Sequence, residues 1–172
     1  MDYSQLIKER YSVRKFSEKT VENEKITAIL EAARIAPTAV NKQPYRVLVL
    51  QGAEQIEELK KSTPYTFGVT TALIVCACAD EAWIRSYDSY NSGIIDASII
   101  GTHIMLGVHD LGLGTTWVGH FDPSVLRQSF GIPDNMEAVA VFPLGYPAED
   151  AKPAGNHEKR RPLNELVVYG KF

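Results

Sequence analysis

Residues suited to metal or thiol chemistry are scarce in this chain, which has two cysteines and four histidines among 172 residues. Cys76 and Cys78 stand together in an apolar run, LIVCACA. At i and i+2 on a strand they share a face but are badly placed to bridge each other. They are expected to be buried thiols in a reducing cytoplasm, not a metal or redox pair. His103, His109, His120 and His157 are scattered without ligand spacing, so no metal site is expected. There is no phosphate-loop motif, no HExxH and no nucleophile elbow. The pair Gly112 and Gly114 has Trp117 where a dinucleotide fingerprint requires its third glycine. That pair also follows a helical pattern and precedes a strand-like one, the reverse of the dinucleotide context.

Charge excess and long apolar runs are missing as well. A formal net charge of −3 gives no reason to expect nucleic acid as a partner. No stretch reads as a membrane span, and MDYSQLIKER has no apolar core that could serve as a secretion signal. The composition, 45% hydrophobic and 23% charged, is that of an ordinary globular protein. One domain over residues 1–172 is expected, large enough to bury a real core.

What is present centres on residues 93–113, GIIDASIIGTHIMLGVHDLGL. Apolar residues cover more than one side of this predicted helix, which marks a buried helix. Asp96, Ser98, Thr102, His103, His109 and Asp110 interrupt them. Gly93, Ala97 and Gly101 fall four apart and form one row of small side chains. Such a row admits a close neighbour. The pattern leaves open whether that neighbour belongs to the same core or to a second copy of the chain.

Around it, short helices are predicted over residues 3–10, 21–34, 53–62 and 122–130. Asp122-Pro123 supplies an N-cap and a first-turn proline, and Gly131 a stop. Strands are predicted over residues 45–50, 71–79, 115–118, 136–144 and 166–169. Residues 37–44 form a polar loop bracketed by Pro37 and Pro44. Helices and strands mix without strict alternation, which favours α+β over a doubly wound sheet.

One constellation could bind an anion. Arg10, Ser12 and Arg14 alternate along a segment that reads as extended, so they share a face. The planar guanidinium fork suits phosphate. Lys159, Arg160 and Arg161 form a second basic group. Each group taken alone also reads as a solvated charged face.

Taken in order, five stretches resemble the FMN-dependent nitroreductase family: RYSVRKF, ILEAARIAPTAVNKQPYRVLVL, GIIDASIIGTHIMLGVHDLGLGTTWVG, FGIPDNMEAVAVFPLGYP and KRRPLNELV. Each piece is weak alone; their order and spacing are specific, and they cover nearly the whole chain. The resemblance implies a central mixed, mostly antiparallel sheet flanked by helices, with the long helix at the core of an intertwined homodimer. It implies two flavin sites, each built from both protomers. Arg10, Tyr11, Ser12 and Arg14 would hold the FMN phosphate and ribityl chain, and Arg160 would approach the same phosphate. Pro37, Thr38, Ala39 and Asn41 would reach that flavin from the other protomer. The backbone at Val118, Gly119 and His120 would face the isoalloxazine ring, with an amide near N5. Pocket walls would come from residues 65–67 and 83–90.

At two positions the chain departs from the pattern. Glu158 stands where many members carry a second basic residue, for which Lys159 or Arg161 could substitute, and Ala39 stands where many have serine. The implied activity is an NAD(P)H-dependent oxidoreductase that reduces quinones, nitroaromatics or similar flat electrophiles by a ping-pong mechanism. No catalytic side chain is required. The alternatives are a flavin-binding store or sensor without turnover, and a specialised flavin reaction such as reductive dehalogenation.

Overall fold

The computed structural model describes residues 2–172. The chain begins with helices α1 (Tyr3–Glu9) and α2 (Asn23–Arg34), then a single 3-10 turn (Ala39–Asn41). Strand β1 (Tyr45–Gln51), helix α3 (Ala53–Lys60) and strand β2 (Thr71–Cys78) follow. The long helix α4 (Gly93–Asp110) leads into β3 (Gly114–Thr115), α5 (Pro123–Phe130) and β4 (Met136–Gly145). A last turn, α6 (Leu163–Leu166), lies near the C-terminus.

The four strands form one sheet in the order β1-β2-β4-β3, with every ladder antiparallel. A single parallel bridge, Ser12 to Thr115, joins the N-terminal segment to its edge. Every residue of β2 is buried. Its alternation explains the unbroken apolar run in the sequence. Leu73, Val75 and Ala77 face α2 and α4, packing with Ile29, Ala33, Ile100, Ile104 and Phe142. Ala72, Ile74 and Cys76 face the other side, against Ile56 and Leu59 of α3 and Leu126 of α5. The register slips between Val75 and Cys76, so Val139 of β4 has no partner. That bulge lets Val139 and Ala140 both serve the first core. The sheet is thus covered on both faces, an α+β architecture.

Local signals set the shorter helices. Asp122 accepts from the N–H groups of Ser124 and Val125 at 2.9 and 3.0 Å, and Pro123 opens α5. Gly131 ends it in the left-handed region, φ 61°.

The small-residue row of α4 is used within the chain. A Cβ at Gly101 would stand 2.6 Å from Trp117 and 2.9 Å from Phe142, and one at Gly93 would meet Ala82 and Ala77. Phe142 and Trp117 press edge to face at 5.2 Å against this row. The row therefore does not pack on a second copy. The large apolar side chains that α4 leaves exposed are Ile94 and Ile95, at 42% and 49%.

Two strand expectations change. The strand at residues 115–118 is only Gly114–Thr115, with Val118 bridging Val141 alone. The strand at residues 166–169 does not form. Leu163–Leu166 is a helical turn, and Val167 to Phe172 have no ladder partner among the described residues. Leu163, Leu166, Val168, Tyr169 and Phe172 are exposed. An apolar, β-branched run has strand propensity but needs a neighbouring edge.

Gly101→Val should lower unfolding stability by about 1–3 kcal/mol in urea titrations, because Trp117 and Phe142 leave no room for the side chain. Burial, and next the neighbouring Cys78, push the Cys76 thiol up to about 11. Both free cysteines are buried. Native protein should therefore resist a thiol reagent at neutral pH, and both thiols should react in denaturant; rapid labelling of the native fold would contradict this packing.

Candidate functional site

The basic face is built where the chain leaves α1. Arg10 caps that helix with extended geometry, and the segment runs along the sheet edge. Val13 donates its N–H to Thr115 at 3.0 Å. Its side chain is buried against Gly114, where a Cβ would lie 2.7 Å from Val13. Glycine is required there for the segment to dock. With Val13 turned inward, Ser12 and Arg14 turn outward.

A cavity of about 230 Å³ results, lined by Arg10, Tyr11, Ser12, Arg14, Ala154, Asn156, His157 and Arg160. Three arginines thus line one space. Tyr11 sits edge to face with His157, ring centroids 6.3 Å apart. Arg160 is steadied by donating to the carbonyls of Lys159, at 2.9 Å, and His157. Arg161 turns away and pairs with Glu165 at 3.0 Å. Neither Lys159 nor Glu158 lines this cavity; Glu158 borders an adjoining groove against α1. Below Arg10, the imidazole of His109 is held below its usual pKa range, first by burial. Among the described residues, its Nε2 and the Thr115 hydroxyl are buried without a partner.

Arg14 also lines a second cleft of about 290 Å³, with Tyr65, Phe67, Thr116, Trp117, Val118, Gly119 and His120. Val118 exchanges both backbone hydrogen bonds with Val141, at 2.9 and 3.0 Å. This fixes the approach to the exposed Gly119 and His120. Thr63 donates its hydroxyl to the His120 carbonyl at 2.7 Å. Tyr65 stands edge to face with His120 at 5.6 Å and tilted to Phe67 at 6.0 Å. Among the described residues the N–H groups of Gly119 and His120 meet no acceptor. The second cleft is therefore aromatic, with free backbone donors, and the first is cationic.

Pro37, Thr38, Ala39 and Asn41 line neither cleft. They form the turn at the N-terminal end of α4, where Ala39 donates its N–H to Asp96 at 2.8 Å. Val40, Asn41 and Gln43 there have φ of 46°, 56° and 53°. A β-branched residue in this region is strained by about 1–3 kcal/mol. Arg10 and Tyr11 lie instead beside His109 and Leu113, at the other end of α4. Along the helix the two groups are separated by about 20 Å. One chain does not bring them together.

Residues 83–90 line neither cleft. They form a tight excursion closed by the Ile84–Asn91 bridge and the Arg85–Asp88 pair at 2.5 Å, with Tyr87 94% exposed at its tip. Reading the sequence missed Ala154, Asn156, His157, Thr116 and Trp117 as lining residues. The Asn156-His157 pair just ahead of the basic cluster is the only local signal that could have pointed to the loop.

The nitroreductase family matches this chain over residues 7–66 and 65–146. A relative from Methanothermobacter thermautotrophicus, provisionally named NADH dehydrogenase/NAD(P)H nitroreductase, is 34% identical over 87% of this chain and 80% of its own length. The crystal structure of a nitroreductase family protein from Clostridium difficile 630 superposes with a TM-score of 0.93 at 38% identity, covering all of both chains. A protein from Desulfovibrio desulfuricans, provisionally named a nitroreductase and solved in complex with FMN, superposes with a TM-score of 0.79 at 25% identity, covering 98% of this chain and 96% of its own. The family match, the relative and the solved structure agree, and the chain belongs to the nitroreductase family.

Proposed function

We propose that this chain is a cytoplasmic FMN-dependent oxidoreductase, a single flavin-binding domain over residues 1–172, which takes reducing equivalents from NAD(P)H and delivers them to quinones, nitroaromatics or similar flat electrophiles. The observation that carries this reading is that Arg14 is the common wall of a cationic cleft and an aromatic one. FMN has the same two ends, a phosphate and a flat ring, so the residues present fit the cofactor. The likeness to the FMN-bound structure from Desulfovibrio desulfuricans supports the same choice.

When bound, FMN supplies the electron transfer chemistry; the protein's part is binding, orientation and electrostatics. Arg10, Arg14 and Arg160 hold the phosphate through charge-assisted hydrogen bonds, with the Ser12 hydroxyl as a further donor. The backbone N–H groups of Gly119 and His120 are preorganised donors toward the ring, and Gly119 has no side chain to obstruct it. Tyr65, Phe67 and Trp117 keep water from one side of the cleft. No side chain serves as a nucleophile.

The reading includes a homodimer. Pro37, Thr38, Ala39 and Asn41 stand too far from Arg14 within one chain, so they serve the flavin held by the partner. Exposed apolar residues supply the matching surface: Ile94 and Ile95 on α4, and Leu163, Leu166, Val168, Tyr169 and Phe172 beyond it.

The purified protein should be yellow and should retain FMN in preference to FAD. Anaerobic NADH or NADPH should bleach the flavin band, and a panel of acceptors should restore it. A colourless protein that ignores added FMN would contradict the reading; bound FMN that neither donor bleaches would favour a store or sensor. Arg14→Ala should weaken FMN binding by about 1.5–3 kcal/mol in a fluorescence titration. Arg161→Ala should have a much smaller effect, because that side chain is engaged with Glu165. Equal losses in Arg160→Ala and Arg161→Ala would refute the assignment of Arg160 as the inward member of the closing basic cluster.

A further inference from the structure

Asp96 is the only charged side chain buried among the described residues, 2% exposed. Taking a carboxylate out of water is costly unless hydrogen bonds compensate. No ion pair involves it among those residues. Its compensation is threefold. One oxygen accepts the Ala39 N–H at 2.8 Å, and the other accepts the Ser92 hydroxyl at 2.8 Å. Asp96 also lies in the first turn of α4, where the helix dipole favours negative charge. An apolar residue here would leave the Ala39 N–H and the Ser92 hydroxyl without their acceptor, so the carboxylate serves these two groups.

The bond to Ala39 matters because of what else holds that loop. Asn41 donates to the Thr38 carbonyl, Lys42 to the Ala39 carbonyl and Gln43 to the Thr38 hydroxyl. All three bonds lie within the loop; beyond residues 38–41, the Lys42 ammonium donates to the Ala82 carbonyl at 3.3 Å. Among the described residues, Asp96 makes the one hydrogen bond that ties residues 38–41 to the rest of the fold. The left-handed Val40, Asn41 and Gln43 need such a tie to persist in this conformation.

We propose that Asp96 is a positioning residue for the flavin site of the partner copy: it fixes the loop that presents Thr38, Ala39 and Asn41, and does not itself touch the cofactor. This rests on the function proposed above. One carboxylate then sets the loop relative to α4, beside Ile94 and Ile95 on the proposed dimer surface. Ala39 contributes through its backbone, so the bond does not depend on a serine hydroxyl at that position.

The test is an FMN titration of the intact protein and four variants. Asp96→Ala should weaken FMN binding about tenfold or more. Asp96→Asn has the same shape; its oxygen can accept from Ala39 and its amide can donate to Ser92, so it should stay within about threefold of wild type. Ala39→Pro removes the donor from the other side. Thr38 is already extended, with φ −133° and ψ 161°, so a proline after it is tolerated. Ala39→Pro should reproduce the loss, and the double variant with Asp96→Ala should lose no more than either single change. If Asp96→Ala fails to fold, Ala39→Pro carries the test.

A mixed dimer of one Arg14→Ala protomer and one Asp96→Ala protomer should keep FMN at about half its sites, because one site then carries both defects and the other neither. Unchanged FMN affinity in Asp96→Ala or Ala39→Pro, while wild type binds FMN, would overturn the positioning role and leave the proposed function standing. Equal losses in Asp96→Ala and Asp96→Asn would overturn it too, by assigning the effect to charge alone. A confirmed mixed dimer without recovered flavin would refute the action across the interface. Wild type that binds no FMN would refute the function itself.

Discussion

The structure depends on how closely α4 can lie on the sheet. Gly101 has no room for a side chain between itself and the rings of Trp117 and Phe142. That contact fixes the rotation of the helix and therefore which residues it shows to solvent. Ile100, Ile104 and Val108 go inward, while Ile94 and Ile95 stay out. It also fixes where the two ends of α4 lie. The N-terminal end grips the loop at Ala39, and the C-terminal end adjoins Arg10 and Tyr11.

The proposed site follows from this arrangement. The docked N-terminal segment joins a cationic space to an aromatic one through Arg14, and Gly114 is the position that lets it dock. The loop at residues 37–43 is braced by α4 but faces elsewhere. A flavin site that uses both must be completed by a second copy. In that reading α4 serves as the spacer that sets the distance between what a protomer keeps for its own flavin and what it lends to its partner.

Much of the fold was legible because its signals are local. Asp122-Pro123 and Gly131 bracket α5 as written, and the alternating demands of two cores make β2 apolar at every position. The arginine spacing also gave the right face, since Val13 turning inward forces Arg14 out. What was not legible is what each surface meets. The row Gly93, Ala97 and Gly101 announces a close neighbour, but only the fold reveals Trp117 and Phe142. Residues 166–169 look like a strand, yet no edge among the described residues pairs with them. The bond between Asp96 and the loop was hidden because a single polar residue in an apolar helix looks the same whether it is exposed or gripped by a loop. Asn156 belongs to an irregular loop, where no periodicity marks a lining residue.

The central claim is that a flavin site takes residues from two copies of the chain. Analytical ultracentrifugation of the FMN-loaded protein, followed through the flavin band over a dilution series, tests it most directly. The account predicts that the flavin sediments only with the dimer and is released as monomer forms. A monomer that stays yellow would contradict it.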